Sequence, residues 1–423
     1  MKKILRTAAA AITALSVLAG MTGCATRAKA ADLMDGVKAE HVIVRDKLDS
    51  FSTEVNDFAV RLFNACDKNA KDGENTLVSP ISVLLALSMT ANGARGETLA
   101  QLEDVLGLPA GKLNDFALLY MQKIGASSEK AGTLELANSI WLKTDPKFEV
   151  NRDFLQKNAD YYSADIYSAP FDDSTVKKIN TWVDKKTKGM IPSVLNTIPE
   201  EVIMYLINAL SFEAEWIDPY IDYQVRDDRF VTSNGETKTV PFLHRTENNY
   251  LEDDNSTGFI KYYMFKRYAF VAILPNEGVI PEEYLQTLTG DHLTELLSNV
   301  ENCEVRTSMP KFKTEYSADM SDILKEMGMP LAFDKAAADF SGLGTYDVDG
   351  NIFINSVIHK TFIQVDEKGT KAGAVTMIEA GATSALSGDL PKPKEVYLTR
   401  PFIYMLIDCE SNTPFFIGVM RNP

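Results

Sequence analysis

In residues 369–382 the side chains alternate in character as they do in a β-strand, but the composition of the segment does not favour a strand. The even positions from 370 to 382 carry no charge and most are small, whereas both charged residues, Lys371 and Glu379, fall at odd positions. Because side chains in a strand alternate between two faces, one face would be neutral and compact and the other would tolerate charge. Three glycines lower the intrinsic strand preference of the segment. We interpret it as a conformational switch, which the fold must accommodate.

Short motifs in the rest of the chain occur in a defined order. They are Asn-Thr-Leu-Val-Ser-Pro at 75–80, Gly-Ala-Arg-Gly-Glu-Thr at 93–98, Leu-Ile-Asn-Ala-Leu-Ser-Phe at 206–212, Val-Pro-Phe at 240–242, Leu-Pro at 274–275, Met-Pro-Lys-Phe at 309–312 and Arg-Pro-Phe at 400–402. Together with Glu-Lys-Gly-Thr-Lys-Ala-Gly-Ala-Val-Thr at 367–376, this series resembles the serpin family of serine protease inhibitors. The resemblance extends over nearly the whole chain after about residue 51.

The resemblance implies an α+β fold, in which helices pack around three β-sheets and an exposed reactive-centre loop lies near the C-terminus. Residues 51–423 would form the serpin domain, and residues 367–400 would comprise the hinge, the reactive-centre loop and an extended segment after it. A length of 423 residues would by itself allow two or three domains. No Pro-, Gly- or Ser-rich linker and no repeat divides the chain after residue 51, so we expect one domain.

Hydrophobic periodicity predicts a mixture of helices and strands. The predicted helices cover 55–69, 81–91, 173–187 and 317–327. The predicted strands cover 134–142, 202–212, 267–274, 360–366, 402–407 and 414–419. The helix over 81–91 is apolar on nearly every side, so we expect it to be buried.

Composition narrows the class of partner. With 45% hydrophobic and 24% charged residues, the chain has the composition of an ordinary globular protein. A net charge of −16 argues against a nucleic-acid-binding surface or a broad polyanion site. We expect a monomer that binds a serine protease and no nucleic acid.

The first 23 residues have the form of a bacterial lipoprotein signal peptide. A basic start precedes an apolar core at 8–20 that is too short to span a membrane, and Met-Thr-Gly-Cys at 21–24 resembles a lipobox. We expect lipidation of Cys24 and a tether over residues 24–50. The alternative is a plain secretory signal cleaved near Ala28 or Ala30. The domain would then be exported and held at the outer face of the cell membrane or envelope through its lipidated N-terminus, with shedding left open.

No residue pattern indicates an enzyme, a cofactor or a metal site. Besides Cys24 there are Cys66, Cys303 and Cys409, an odd number that argues against a disulfide framework. The sequence contains no HExxH, CxxC, G-x-S-x-G, G-x-G-x-x-G or Walker motif. We therefore expect no catalytic residue and no cofactor.

The resemblance assigns mechanical roles to four residues. Ser79, Asn208 and His359 would form a polar cluster beneath the strands that part for loop insertion, and Trp216 would stand where insertion begins. Leaving a buried polar group unpaired costs about 1–3 kcal/mol, so such a cluster can fix one conformation.

The mechanism implied by the resemblance is suicide inhibition. The hinge residues would be Glu367, Gly369, Thr370, Ala372, Gly373, Ala374 and Thr376. Counting sixteen residues on from Glu367 predicts the scissile bond at Thr383–Ser384, with Ala382–Thr383 as the neighbouring alternative. The small residues there suit an elastase-like or subtilisin-like protease. A trypsin-like enzyme requires Lys or Arg, and neither occurs between Lys371 and Lys392.

Some features depart from the family pattern, and two other functions stay open. Lys371 and Val375 are unusual hinge residues on the outward face, Thr399 is unusual in the C-terminal signature, and residues 384–400 are longer than typical. One alternative is a non-inhibitory serpin that acts as a carrier or folding factor, although such members usually have hinges that resist insertion. The other is an envelope lipoprotein that binds a partner reversibly in a preformed pocket, without a covalent adduct.

Overall fold

The α+β class expected from the sequence is confirmed by the computed structural model, which describes residues 30–125, 132–346, 351–370 and 392–423. The α-helices of these residues are α1 (Ser52–Lys68), α2 (Pro80–Ala91), α3 (Gly96–Leu106), α4 (Ala110–Gly125), α5 (Arg152–Tyr162), α6 (Asp173–Lys186), α7 (Pro281–Thr287), α8 (Gly290–Ser298) and α9 (Ser321–Met327). Within those ranges no helix has both the length and the apolar character to cross a membrane.

The strands of the same residues form three sheets. They are β1 (Ala31–Asp32), β2 (Thr76–Val78), β3 (Thr133–Lys143), β4 (Phe148–Val150), β5 (Asp165–Ala169), β6 (Met204–Glu215), β7 (Val225–Val231), β8 (Thr237–Asp253), β9 (Ser256–Tyr262), β10 (Tyr268–Pro275), β11 (Glu301–Pro310), β12 (Phe312–Asp319), β13 (Gly344–Tyr346), β14 (Ser356–Val365), β15 (Gly369–Thr370), β16 (Lys394–Tyr397), β17 (Phe402–Asp408) and β18 (Thr413–Met420). The first sheet has seven strands in the order β1-β5-β3-β6-β15-β14-β12. The second has nine, in the order β16-β11-β8-β9-β10-β17-β18-β2 with β7 paired to β8, and the third pairs β13 with β4.

Helix α2 is buried along its whole length, as its sequence predicts. Each of its 12 residues is buried. Pro80 occupies the first helical position, where a missing N–H is tolerated, and Ser79 caps the helix by accepting a hydrogen bond from the N–H of Ser82 at 3.4 Å. A helix with no polar side can be packed on all sides, so α2 lies within the core next to β3, β6 and β18.

Strand β6 is apolar on both faces because both faces of the seven-stranded sheet are covered. Leu206 and Leu210 belong to the main core, which lies between the seven-stranded and nine-stranded sheets. Tyr205 and Ile207 point the other way and pack with Trp182 of α6 in a second apolar cluster. The alternation follows from the two-residue period of a strand, and it explains why 202–212 is apolar except at Asn208 and Ser211.

The predicted helix over 317–327 is wrong in its first part. Strand β12 continues to Asp319 and pairs with β14 over eight residue pairs. Helix α9 begins only at Ser321, whose N–H donates to the Asp319 carboxylate at 2.9 Å. Pairing with a strand more than thirty residues further along the chain decides this boundary, and a local pattern cannot express it.

The described part of the predicted tether lies against the domain. Ala31 and Asp32 pair with β5 as an added edge strand. Further on, Lys38 accepts a hydrogen bond at its carbonyl from Gln156 of α5 at 2.8 Å, and Asp46 pairs with Lys112 of α4 at 2.5 Å. Residues 30–46 therefore run across the surface formed by the first sheet, α5 and α4.

Candidate functional site

The candidate site is the place where β6 and β14 separate around β15. The two long strands are parallel and pair directly from Tyr205–Ser356 to Leu210–Thr361. Beyond these pairs β15 lies between them, antiparallel to both, with Thr370 opposite Ala214 of β6 and Val365 of β14. The first residues of the segment that we interpreted as a switch therefore occupy a strand position in the sheet.

Strand β15 fits closely between its neighbours. A Cβ atom on Gly369 would lie 2.1 Å from the backbone oxygen of Ala214, so only glycine is accommodated. Thr370 is 1% exposed, and its hydroxyl is hydrogen-bonded to the hydroxyl of Tyr263. The even-numbered face of the hinge is thus turned toward the core at Thr370, as the alternation predicts.

The segment 216–220, which follows β6, holds the chain that leads into β15. The backbone N–H of Trp216 donates to the carbonyl of Lys368 at 2.9 Å, and its indole N–H donates to the carbonyl of Asp366 at 2.9 Å. The N–H of Tyr220 donates to the carbonyl of Glu367 at 2.8 Å. Trp216, expected to stand where insertion begins, is fully buried and contacts the hinge directly.

An ion pair ties the hinge to the turn between β11 and β12. The carboxylate of Glu367 lies 2.5 Å from the ammonium of Lys311, and both side chains are about one-third exposed. Partial burial alone would raise the pKa of Glu367, but the side-chain hydrogen bond from Lys311, a backbone hydrogen bond and the positive charges of Lys311 and Lys368 together outweigh it, and the pKa is lowered. Lys311 belongs to the Met-Pro-Lys-Phe motif at 309–312, whose role the sequence alone did not reveal.

Ser79, Asn208 and His359 meet beneath the paired part of β6 and β14, and all three are fully buried. The N–H of Ser79 donates to Nε2 of His359 at 3.1 Å. Nδ1 of the ring therefore carries the proton and donates to the amide oxygen of Asn208. This hydrogen bond joins the two strands that would have to part, and it leaves the amide nitrogen of Asn208 without a partner among the described residues.

The burial of His359 makes stability depend on pH. Burial lowers the pKa of His359 from 6.5 to about 3, so the folded protein keeps the ring neutral where the unfolded chain protonates it. The free energy of unfolding should therefore decrease as the pH falls from 6.5 toward 3. The slope approaches about 1.4 kcal/mol per pH unit, or roughly 2 kcal/mol between pH 7 and pH 5. Urea-unfolding midpoints at the two pH values measure it.

The His359→Gln variant separates this contribution from the other titrating groups. It should unfold at a lower urea concentration at both pH values, but its midpoint should change less between them than that of the unsubstituted protein. His41→Gln, which alters an exposed histidine, is the control. Equal pH dependence in the His359→Gln variant and the unsubstituted protein would refute the assignment.

The tertiary structure adds one residue that no sequence pattern indicated. Tyr263 follows β9 and stacks on Trp216 with ring centroids 4.3 Å apart, while its hydroxyl bonds to Thr370. Other predicted site residues lie outside the described residues, namely Cys24, Ala372, Gly373, Ala374, Thr376, Thr383 and Ser384.

Part of the extended segment at 384–400 is an edge strand. Residues Lys394–Tyr397 form β16, which pairs in parallel with β11 from Val305 to Ser308. The N–H of Leu398 continues this contact by donating to the carbonyl of Ser308 at 2.8 Å. The chain around residues 394–398 is therefore anchored on the nine-stranded sheet.

Comparison with known proteins gives one consistent result. The sequence model of the family described as "Serpin (serine protease inhibitor)" matches residues 53–423. A curated protein named leukocyte elastase inhibitor, from Equus caballus, is 29% identical over 394 residues, which cover 89% of this chain and 100% of that protein. Serpin B10 from Bos taurus is 28% identical over 413 residues, with coverage of 89% and 100%.

Solved structures of one serpin in two conformational states share the fold of this chain but align with it to different degrees. The thermophilic serpin tengpin in its native state is 45% identical, with a TM-score of 0.87 over 94% of this chain and 100% of that one. Tengpin in its latent state aligns with a TM-score of 0.76 at 43% identity, over 91% and 99%. The structure of this chain is therefore more similar to tengpin in its native state than to tengpin in its latent state.

Proposed function

The chain belongs to the serpin family, and from that premise we propose that it inhibits serine proteases by trapping them covalently on its cleaved loop. Members of the family are typically protease inhibitors rather than enzymes, and we propose no catalytic turnover for this chain. The observation that carries the proposal is β15, because Gly369 and Thr370 lie between β6 and β14 in antiparallel register with both. If β6 and β14 part, the strand that begins with β15 can continue between them in the same register and the same direction.

The proposed reaction uses the nucleophile of the target. The serine hydroxyl of the protease attacks the carbonyl of Thr383, the peptide bond to Ser384 breaks, and the new amino terminus at Ser384 leaves, which forms an acyl-enzyme. The residues after Thr370 then enter the first sheet, so that residues 370–383 form a strand of 14 residues, about 46 Å long at about 3.3 Å per residue. The protease is carried along before water can hydrolyse the ester.

The pairing of β15 with β6 and its pairing with β14 both assign Thr376 to the same level of the sheet as Asn208 and His359. Extending the pairing of β15 with β6 puts Thr376 opposite Asn208, and extending its pairing with β14 puts Thr376 opposite His359. Insertion separates these strands by the width of another strand, about 4.8 Å, so their mutual hydrogen bond would be lost. Thr376 is the one hydroxyl residue among the even positions from 372 to 382, and it could supply the replacement hydrogen bonds.

We propose an elastase-like or subtilisin-like target because Ala382, Thr383 and Ser384 offer only small side chains to the protease pockets. Relatives named leukocyte elastase inhibitor are consistent with that class. The segment at 384–400 would contribute further contacts, since β16 fixes its far end on the second sheet.

The test is a denaturing gel of the purified domain mixed with an elastase-type serine protease. We expect a detergent-resistant band at the summed mass of a one-to-one complex and a released C-terminal peptide that begins at Ser384. The Thr383→Arg variant should transfer this reaction to a trypsin-like protease while losing it with elastase. The inhibitor proposal would be overturned if elastase and subtilisin cleaved the unsubstituted domain, and a trypsin-like protease cleaved the Thr383→Arg variant, at this bond without forming any adduct.

We also propose that the domain is exported and anchored through a lipid on Cys24. The support is the lipobox-like Met-Thr-Gly-Cys at 21–24 after an apolar core. Metabolic labelling with a fatty-acid analogue should mark the protein when it is expressed in a bacterium, and Cys24→Ser should abolish the label and release the domain from the membrane fraction. Equal labelling of the two proteins would refute lipidation at Cys24.

A further inference from the structure

A buried lysine lies behind the segment that holds the hinge. The side chain of Lys261, on β9, is 1% exposed, and its ammonium lies 2.7 Å from a carboxylate oxygen of Glu247 on β8. Lysine is rarely buried in a protein core, and replacing a buried ion pair by apolar residues of similar volume is often neutral or stabilising. Stability is therefore a poor explanation for a cation at this position.

The other contacts of Lys261 converge on residues 216–220. Its ammonium lies 4.6 Å from the ring centroid of Tyr220 and 5.4 Å from that of Trp216, within the range of a cation–π attraction. It also donates to the carbonyl of Asp218 at 3.2 Å. One cation thus contacts the beginning, the middle and the end of this five-residue segment.

The same segment makes the hydrogen bonds that seat the hinge. Trp216 and Tyr220 donate to three consecutive carbonyls at 366–368, and Trp216 stacks on Tyr263, whose hydroxyl bonds to Thr370. Since the rings that Lys261 faces belong to these donors, their orientation depends on the position of the ammonium. Arg245 strengthens the arrangement by donating to the carbonyls of Asp218 and Pro219, each at 3.0 Å.

We propose that Lys261 is a positioning residue for loop insertion, which holds the 216–220 segment so that the hinge is seated between β6 and β14. This inference rests on the proposed function, in which the seated hinge starts insertion. Without the ammonium, Trp216 and Tyr220 would lose the group that fixes their rings, and the hydrogen bonds to 366–368 would open more often. Insertion would then begin from an unseated hinge and proceed more slowly.

Hydrogen–deuterium exchange tests the proposal without any protease. In Lys261→Met we expect the amides of 214–220 and 366–370 to exchange about tenfold faster than in the unsubstituted protein, beyond any change in the rest of the chain. Arg421→Met is the matched control. It also replaces a buried cation paired with carboxylates, those of Asp67 and Glu282, and its contacts include neither the 216–220 segment nor the hinge. Lys261→Arg, which keeps a cation that can stack on aromatic rings, should restore slow exchange.

Inhibition gives a second, separate measurement. Where the domain traps a protease, Lys261→Met should require several-fold more inhibitor per protease than Arg421→Met, because slower insertion lets more loops be cleaved without trapping. Faster exchange confined to the hinge region would support the positioning role even if no protease were trapped, in which case only the proposed inhibition would fail. The same exchange at the hinge in Lys261→Met as in Arg421→Met would overturn the inference.

Discussion

Cleavage at Thr383–Ser384 is expected to raise the melting temperature of the domain by on the order of 10 °C or more. The uncleaved chain holds only Gly369 and Thr370 between β6 and β14, whereas the cleaved chain is free to extend this strand to Thr383, which gives 14 residues counted from Thr370. At about 1 kcal/mol net for each ladder hydrogen bond, such a strand contributes on the order of 10 kcal/mol. The uncleaved fold would then persist by rate rather than by equilibrium.

The barrier to this conversion lies in contacts visible between the two strands. Six residue pairs, from Tyr205–Ser356 to Leu210–Thr361, must separate. In the proposed insertion the hydrogen bond between His359 and Asn208, both of which are fully buried, must break at the same time. In the proposed mechanism the inserted strand would form two new ladders in place of the lost one, so the loss of hydrogen bonds would be transient and the cleaved form would be more stable.

Differential scanning calorimetry before and after limited proteolysis measures the change. A cleaved sample that melts at or below the temperature of the intact one would refute strand insertion. The matched variant is Thr376→Val, which keeps the shape and removes the hydroxyl. In its cleaved form Asn208 and His359 would lack their proposed partner, so the gain in melting temperature should be smaller by a few degrees, for a loss of about 1–3 kcal/mol. The intact forms should melt alike.

Thr370→Arg is expected to convert the proposed inhibitor into a substrate. Thr370 is 1% exposed and bonded to Tyr263, so an arginine there would have to bury its charge in the core or withdraw the hinge from the sheet. In the proposed mechanism insertion competes with hydrolysis of the acyl-enzyme, and each 1.4 kcal/mol added to the barrier for insertion slows insertion about tenfold. We expect the covalent band to fall by about tenfold or more while cleavage at Thr383–Ser384 continues at its former rate.

Lys371→Glu is the control, because residue 371 is the next position and alternation assigns it to the outward face. Its yield of covalent complex should stay near that of the unsubstituted protein although its charge is reversed. Continued cleavage of Thr370→Arg at the same bond shows that the domain is folded and that its loop is still recognised. An undiminished covalent band in Thr370→Arg would contradict the insertion mechanism.

Much of the fold follows from local pattern. The apolar run at 81–91 and the Ser-Pro start before it predicted buried helix α2 within two residues of its ends, and the runs at 402–407 and 414–419 predicted β17 and β18. The prediction failed at 317–319, which were included in a predicted helix but pair with β14. It also missed β1, a strand of only two residues that exists because the edge of β5 is available.

The candidate site divides in the same way. The sequence motifs predicted seven of the described site residues, and the structure places them near two neighbouring regions of the first sheet. Where β6 and β14 pair lie Ser79, Asn208 and His359. Where the two strands separate lie Trp216, Glu367, Gly369 and Thr370. Tyr263, Lys311 and Lys261 acquire their importance only from what they contact. Each belongs to a different part of the chain from its partner, and no spacing connects Tyr263 with Thr370 or Lys261 with Trp216.

The sequence by itself determined that a neutral, alternating, glycine-containing segment precedes the C-terminal strands, because composition and period are properties of neighbouring residues. Tertiary structure alone decided that this segment starts inside a sheet, that Tyr263 and Trp216 meet it there, and that a buried lysine supports them. These contacts join residues up to 156 positions apart, as in the pair Thr370–Ala214. Their geometry comes from strand register and from packing around β6, and those depend on the whole chain having folded.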